Sequence, residues 1–170
     1  MALFTRGSLC KLCTLPMQKR NEVVIFPHLV SNTHDALFAF NGAVLHKTCV
    51  RAHPWGAMAM RQKQFVQETI LPNTQRRCVL CQNQVENAAQ LIATGLLTVD
   101  ENHPLYRFNW IEAHKRCVSH WDELPALVFE LKNFAKSGKW VDFDPQHRAM
   151  DNLMDVLVDI TPGRAETAQL

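Results

Sequence analysis

A cysteine–histidine pattern that occurs twice, with the same spacing each time, constrains this chain more than any other feature. In each copy a Cys-x-x-Cys motif is followed, after 32 intervening residues, by a His-x-x-Cys motif, and the second copy begins 68 positions after the first. The residues concerned are Cys10, Cys13, His46 and Cys49 in the first copy, and Cys78, Cys81, His114 and Cys117 in the second. All six cysteines of the protein therefore belong to one duplicated pattern.

The similarity of the two copies extends beyond these motifs. Residues 10–50 align without a gap with residues 78–118. The further identical pairs are Leu12 with Leu80, Leu29 with Leu97, Leu37 with Leu105, Phe40 with Phe108, Asn41 with Asn109, Lys47 with Lys115, and Val50 with Val118. Self-similarity at a fixed offset indicates duplication of a whole structural unit.

Zinc is the ion that this ligand set favours. Zn²⁺ takes four thiolate or imidazole ligands in a tetrahedron, and three Cys with one His fill that sphere without leaving a position for water. We therefore predict two structural Zn²⁺ ions per chain. The motifs leave a crossed alternative open, in which the two Cys-x-x-Cys pairs share one ion and the two His-x-x-Cys pairs share the other. An iron–sulfur centre and a set of buried free cysteines are weaker alternatives.

The order of these ligands resembles that of treble-clef zinc fingers. The order Cys, Cys, His, Cys is also similar to the first half of a LIM domain, although the segment between the two pairs is longer here. The resemblance covers residues 10–53 and 78–121 and implies that all eight motif residues are zinc ligands. It predicts an α+β fold of two tandem treble-clef-like zinc modules (knuckle, β-hairpin, helix), each followed by a helix, plus a C-terminal helix.

Hydrophobic patterning places the secondary structure of each module. We expect strands at residues 23–26 and 91–93 to pair with strands at residues 37–40 and 105–108. Each His-x-x-Cys motif then begins a helix, because positions i and i+3 lie on one helical face and can bind one ion.

Longer helices are predicted outside the metal motifs. They cover residues 58–70 and 124–136, and a last helix opens at Asp144-Pro145. Its apolar stripe consists of Met150, Leu153, Met154, Val156, Leu157 and Ile160. That stripe favours a packed helix, with a partner-binding helix as the alternative. The predicted domains are residues 1–71 (module 1 with its trailing helix), 72–138 (module 2 with its trailing helix) and 139–170 (C-terminal helix and tail).

Composition and charge narrow the class of protein. The chain has 170 residues, 47% of them hydrophobic and 20% charged, which is ordinary for a globular protein. Modules of about 70 residues are near the size at which a metal usually supplements a small core. Residues 1–121 contain 13 Lys and Arg against 7 Asp and Glu, or +6, whereas residues 122–170 contain 5 against 9, or −4.

We see no signal peptide or membrane-spanning run and expect a cytoplasmic protein. In the reducing cytoplasm, close cysteine pairs bind metal rather than form disulfides.

Several polar residues near the motifs have two interpretations. His53 and His120 either support a metal ligand or end a helix, and the helix-end role is the expected one. Four cations on the predicted motif helices either offset the thiolate charge or contact phosphate. They are Lys47, Lys115, Arg51 and Arg116. A resemblance to HNH-type nucleases would give roles to His34, Asn41, Asn102, His103 and Asn109. However, both motif histidines are already committed to structural zinc, and no second histidine follows at a spacing that would hold a catalytic metal.

These observations favour a zinc-stabilised interaction or adapter protein that binds a protein partner. The alternatives are a nucleic-acid-binding zinc-finger protein, which the basic residues 1–121 would serve, and a ubiquitin-ligase-like or HNH-like enzyme. The sequence contains no Ser-His-Asp elbow, phosphate-binding glycine-rich loop or His-Glu-x-x-His motif, so no catalytic residue is assigned.

Overall fold

The computed structural model describes residues 3–69, 75–143 and 148–161. The chain divides into two units. Unit 1 comprises Met1–Val30 and Asp35–Ile70, and unit 2 comprises Ser31–His34 and Leu71–Leu170. Each unit contains one copy of the cysteine–histidine pattern and one small antiparallel sheet, so the fold is of the α+β type.

Unit 1 is built on a two-stranded hairpin. Strand β1 (Val23–Ile25) pairs antiparallel with β2 (Val44–His46), so that Val23 lies opposite His46. Helix α1 (Lys47–Ala52) follows β2 without a loop, and α2 (Gly56–Thr69) comes after it. The core lies beneath the hairpin and contains Met17, Val23, Phe26, Leu29, Leu37, Phe40, Ala43, Leu45, Val50 and Ala59.

Unit 2 repeats this arrangement and adds helices to it. Strand β3 (Leu91–Ala93) pairs antiparallel with β4 (Glu112–His114), and α3 (Lys115–Val118) follows directly. Helices α4 (Leu124–Lys136) and α5 (Ala149–Asp159) then pack against each other. Their buried residues join the core under the second hairpin and are Leu124, Leu127, Leu131, Phe134, Met150 and Leu157.

The backbone confirms the duplication. The register of the second hairpin is that of the first shifted by 68 positions, with Leu91 opposite His114. Left-handed backbone occurs at matching positions, with φ of 59° at Thr14 and 61° at Gln82. Gly42 (55°) and Trp110 (60°) form a second matched pair. Because left-handed backbone is uncommon for residues other than glycine, its recurrence indicates one conserved path of the chain rather than a chance likeness.

The predicted second strands are wrong. Phe38–Phe40 and Pro104–Phe108 are short 3₁₀ helices, and the strands that pair with β1 and β3 are β2 and β4. Leu37 and Phe40 are both buried while Ala39 between them is exposed, which is the i, i+3 pattern of a helical turn. A four-residue apolar run does not distinguish this turn from a strand by composition alone.

The longer helices agree with the predictions within a few residues. Helix α2 begins at Gly56, two residues before the predicted start, and Ile70 lies outside the described residues. Helix α4 has the predicted bounds. Helix α5 begins at Ala149, and the predicted opening at Asp144-Pro145 lies outside the described residues. Met150 and Leu157 of α5 are 2% and 0% exposed, which agrees with a packed helix.

Among the described residues, none of the helices has the length and apolar character needed to cross a membrane.

Candidate metal centres

Each Cys-x-x-Cys motif forms a tight turn whose backbone bonds are the same in both units. The N–H of Thr14 donates to the carbonyl of Cys10 at 2.8 Å, and the N–H of Gln82 donates to that of Cys78 at the same distance. The turn needs left-handed backbone at Thr14 and Gln82, and it places both sulfurs of a pair on one side. We call this turn and its two flanking residues on each side the knuckle (residues 8–16 in unit 1, 76–84 in unit 2).

The His-x-x-Cys motifs are positioned by the junction between strand and helix. His46 is the last residue of β2, and α1 begins at the next residue, so Cys49 lies in the first helical turn. His114 and Cys117 have the same positions at the end of β4 and in α3. A strand that passes into a helix without a loop therefore turns imidazole and thiol toward the knuckle.

The structure brings the four motif residues of each copy together. In each set the sulfur atoms and one imidazole nitrogen all lie within 4.8 Å of one another. In unit 1 the Nδ1 atom of His46 is 3.3 Å from Cys13 Sγ and 3.8 Å from Cys49 Sγ. In unit 2 the Nδ1 atom of His114 is 3.5 Å from Cys81 Sγ and 4.0 Å from Cys117 Sγ. Each Cys3His group could hold one metal ion, and the chemistry of the ligands is consistent with zinc.

This grouping corresponds to the sequential arrangement, in which each copy forms its own site. The crossed alternative would place Cys10 and Cys13 with Cys78 and Cys81, but the clusters combine each Cys-x-x-Cys with the His-x-x-Cys of its own unit. All six cysteines are free thiols rather than disulfides. Each ion site is therefore closed by residues of one unit.

The imidazole of His114 is fixed by a second contact. Its Nε2 atom lies 3.2 Å from the carbonyl oxygen of Gln84, and the residue is 7% exposed. A carbonyl only accepts, so this bond assigns the proton to Nε2 and leaves the Nδ1 lone pair directed at the sulfurs. Such a partner orients a metal-binding histidine and fixes its tautomer.

Hydrogen bonds lower the pKa of the first cysteine of each Cys-x-x-Cys motif. Burial raises the pKa of the Cys10 thiol, but backbone N–H groups, first that of His46 and then those of Leu12 and Cys13, more than offset it and lower the pKa to about 6. The same balance lowers the pKa of Cys78 to about 6, with the N–H of His114 3.4 Å from its sulfur. These two sulfurs are thus prepared as thiolates, the form that binds metal.

The last cysteine of each motif has the opposite shift. Burial raises the pKa of Cys49 to about 11, and the neighbouring sulfurs of Cys13 and Cys10 add to the shift. Burial and the sulfurs of the same cluster raise the pKa of Cys117 to about 11 in the same way. Without a metal ion, several negative sulfurs at this distance repel one another, and a bound cation removes that penalty.

Asn41 and Asn109 have a role that sequence patterning did not reveal. Asn41 Oδ1 accepts hydrogen bonds from the N–H groups of Leu29 (2.6 Å) and Val30 (3.2 Å). Asn109 Oδ1 accepts from Leu97 (2.7 Å) and Thr98 (3.2 Å) in the matching geometry. The only signal in the sequence was that the asparagine is identical in both copies.

The histidines after the motifs lie at helix ends, as expected. His53 packs edge-on against Phe40, with ring centroids 4.9 Å apart, and its Nδ1 accepts from the N–H of Trp55. His120 Nδ1 lies 2.9 Å from the carbonyl oxygen of Arg116. In unit 2 the position that matches His53 is Trp121, which packs edge-on against Phe108 at 5.8 Å. One aromatic position therefore covers the core phenylalanine in both units.

The remaining candidate residues lie outside the two metal-binding clusters. His34 and Asn102 are exposed, and His103 Nδ1 accepts from the N–H of Leu105 at the start of a 3₁₀ helix. The cations proposed to offset thiolate charge or contact phosphate lie on α1 and α3, where Lys47, Arg51 and Arg116 are exposed and Lys115 is half-buried. None of these residues is part of the two Cys3His clusters found among the described residues.

A polar cleft of about 570 Å³ borders the second site. Its lining residues are Asn83, Gln84, Glu86, Asn87, Gln90, His114 and Arg116. At the positions that match Asn83 and Gln84, unit 1 carries Leu15 and Pro16. The surface beside the metal site thus differs in chemistry between the two units although its backbone does not.

No protein-family model, curated protein or solved structure matches this chain.

Proposed function

We propose that this protein is a zinc-stabilised interaction protein, in which one Zn²⁺ ion per unit holds the fold and the surface binds another protein. The single observation that carries the proposal is the closed Cys3His cluster in each unit. Three thiolates and one imidazole satisfy tetrahedral zinc completely, so such an ion stabilises structure and has no position at which to activate water. The proposal implies that both units are zinc modules of the treble-clef type.

The sizes of the cores support a structural role for zinc. The core of unit 1 lies under a hairpin of two three-residue strands, and a two-stranded hairpin alone is at best marginally stable in water. Metal ligation at the knuckle and at the start of α1 would connect both ends of this hairpin to the core. Because binding of a structural zinc ion adds directly to folding free energy, each unit would depend on its own ion.

A protein partner is favoured over catalysis by the roles of the polar residues. Asn41 and Asn109, which a nuclease interpretation would use, are engaged in holding loop backbone. Free thiols in paired motifs also suit a reducing compartment, so we place the protein in the cytoplasm as part of this proposal.

The test begins with metal analysis of the purified native protein. We expect two zinc ions per chain, and one ion in each of the variants Cys49→Ser and Cys117→Ser. Substitution with Co²⁺ should give the intense visible bands of tetrahedral thiolate coordination at both sites. One zinc ion or none in the wild-type protein would overturn the proposal.

The second arm of the test concerns the partner. Affinity purification of the intact chain from its source cells, with chemical cross-linking, should recover a protein in stoichiometric amount. Nucleic acid recovered in its place, with binding that weakens steeply as salt is raised, would instead support the nucleic-acid-binding alternative.

A further inference from the structure

The knuckle of unit 1 exposes aliphatic side chains. Leu9 and Leu15 are each 61% exposed, and Pro16 beside them is exposed as well. Leu9 lies directly opposite Pro16 in an antiparallel bridge. Hydrogen bonds flank this pair, from Cys10 N–H to Leu15 (3.0 Å) and from Met17 N–H to Ser8 (2.8 Å). It is therefore a non-hydrogen-bonded pair, the type in which opposed side chains lie closest. We call Leu9, Leu15 and Pro16 the knuckle strip.

Unit 2 serves as an internal control for this strip. Arg77 lies opposite Gln84 in the matching bridge, and the flanking bonds from Cys78 N–H (2.9 Å) and Val85 N–H (2.8 Å) are also present. Unit 2 forms the same ribbon with Arg77, Asn83 and Gln84 in place of the strip residues. The fold therefore does not require aliphatic residues here. Single exposed apolar residues need no explanation, but exposed aliphatic residues at three positions that are polar in unit 2 suit contact with another molecule.

Three basic residues lie close in sequence to the knuckle strip, at positions where unit 2 has no basic residue. Lys11, Lys19 and Arg20 are exposed, and the matching positions of unit 2 carry Val79, Asn87 and Ala88. Lys19 is 3.3 Å from Glu22, but both side chains are more than half exposed, so this pair competes weakly with a partner. Lys11 and Arg20 have no ion-pair partner within the described part of the chain.

We infer that the knuckle strip is a docking surface for an acidic protein segment that carries aliphatic side chains. This inference rests on the proposed function and specifies its partner. Aliphatic residues of the segment would cover Leu9 and Leu15, while its carboxylates would face Lys11, Lys19 and Arg20. The charge is complementary to an acidic partner, which speeds association and selects against basic segments.

Two other occupants fit these residues less well. Single-stranded nucleic acid is bound by aromatic side chains on which bases stack, and the strip is aliphatic. A membrane surface would need more apolar area, because even a single myristoyl chain gives only marginal membrane binding, and two leucine side chains contain fewer carbons. A protein segment, in contrast, would contact both the aliphatic residues of the strip and the basic residues near it.

The test uses the zinc-loaded full chain as bait for a displayed library of random 12-residue peptides. Enriched sequences should combine Asp or Glu with Leu, Ile, Val or Phe. The most enriched peptide is then synthesised, and its Kd is measured by fluorescence anisotropy. The double variant Leu15→Asn/Pro16→Gln, which introduces the uncharged residues of unit 2, should raise that Kd at least tenfold while retaining two zinc ions.

Two further variants separate the contributions. Lys11→Val/Arg20→Ala, also taken from unit 2, should raise the Kd and reduce its dependence on salt. Phe129→Ala removes an apolar side chain that is equally exposed in unit 2, and it should leave the Kd unchanged. The matched variants copy residues that this fold already tolerates, so misfolding does not explain a loss of binding.

Several results would overturn the inference. These are enrichment of sequences without acidic residues, no enrichment at all, or an unchanged Kd in the Leu15→Asn/Pro16→Gln variant. Strip-dependent binding to vesicles of phosphatidylcholine and phosphatidylserine, or to a single-stranded oligonucleotide, without peptide binding would assign the strip to a different occupant. If the cellular partner is recovered equally by this variant, the docking surface is wrong while the proposed function stands. If no zinc is bound, the proposed function itself fails.

Discussion

Gly56 lies so close to Val50 that a β-carbon on the glycine would be 1.7 Å from the Val50 carbonyl oxygen. This contact sets the start of α2 against α1, and it follows a tight connection in which the N–H of Gly56 donates to the carbonyl of His53 at 2.9 Å. A backbone atom cannot move away as the end of a flexible side chain can. Only glycine therefore fits at this junction.

Gly56→Ala should destabilise unit 1 by about 3 kcal/mol or more, because the two helices must separate to admit a methyl group. Urea unfolding of the zinc-loaded protein measures the change. Gly42→Ala is the matched control, since its φ is 55° but nothing lies within 4 Å of the added carbon. It should cost only about 1 kcal/mol of backbone strain. Equal effects of the two substitutions would contradict the close approach.

Asn109→Ala should cost unit 2 about 2–3 kcal/mol, since the N–H groups of Leu97 and Thr98 would lose their acceptor. Asn41→Ala should cost unit 1 a similar amount for the same reason. Amide hydrogen exchange at the two freed N–H groups should accelerate in each case. Asn102→Ala, at an exposed position, is the control and should change stability by less than about 0.5 kcal/mol. An effect of Asn109→Ala as small as that of the control would refute the role given to these side chains.

The features that the sequence predicts correctly are those set by residues close together in the chain or by the ligand requirements of one ion. The sequence predicts helix α4 with its observed bounds because Leu124, Leu127, Val128, Leu131 and Phe134 repeat at helical spacing. In the structure all of these except the half-buried Val128 are buried. Proline in its first turn also marked the start. The sequence also predicts both ligand clusters, because a single ion requires ligands of these types at this spacing.

The strands β2 and β4 could not be predicted in the same way. Val44–His46 is only three residues long and passes directly into α1, so it contains no alternating pattern that would distinguish it from the helix. The role of Asn109 was hidden for a different reason, since its partners lie 11 and 12 residues earlier in the chain. Contacts of this kind are set by tertiary structure rather than by local propensity.

Asn32 gives a prediction for unit 2. Its Oδ1 accepts from the N–H groups of His34 (3.0 Å) and Val141 (2.9 Å), its Nδ2 donates to the carbonyl of Lys139 (2.9 Å), and the residue is 3% exposed. Asn32→Ala should lower the unfolding free energy by about 2–3 kcal/mol and accelerate amide exchange at Val141. Thr33→Val, which removes one exposed bond to the Val141 carbonyl, should cost less than about 1 kcal/mol. Slow exchange at Val141 in the Asn32→Ala variant would contradict this prediction.

Loss of one ligand should affect only the unit that contains it, because each cluster is formed by residues of a single unit. Cys81→Ser should accelerate hydrogen exchange in residues 78–121 much more than in residues 10–53, and Cys13→Ser should have the reverse effect. The two variants are each other's control, since they remove the same atom from equivalent positions. Equal loss of protection in both segments would favour shared, crossed sites.

The pH dependence of zinc binding should reflect the different pKa values of the thiols of Cys10 and Cys49. Zinc displaces the protons that remain on its ligands, so the slope of log affinity against pH equals the number of protons released. At pH 7 to 8, the thiol of Cys10, with a pKa of about 6, is already a thiolate, whereas that of Cys49, with a pKa of about 11, still carries its proton. The slope per ion should therefore be below 3 in this range and should steepen as the pH falls through 6 and Cys10 takes up its proton. Competition with a chromophoric chelator between pH 5 and 8 measures this slope, and a value of 3 at pH 7.5 would mean that Cys10 is not ionised in the metal-free site.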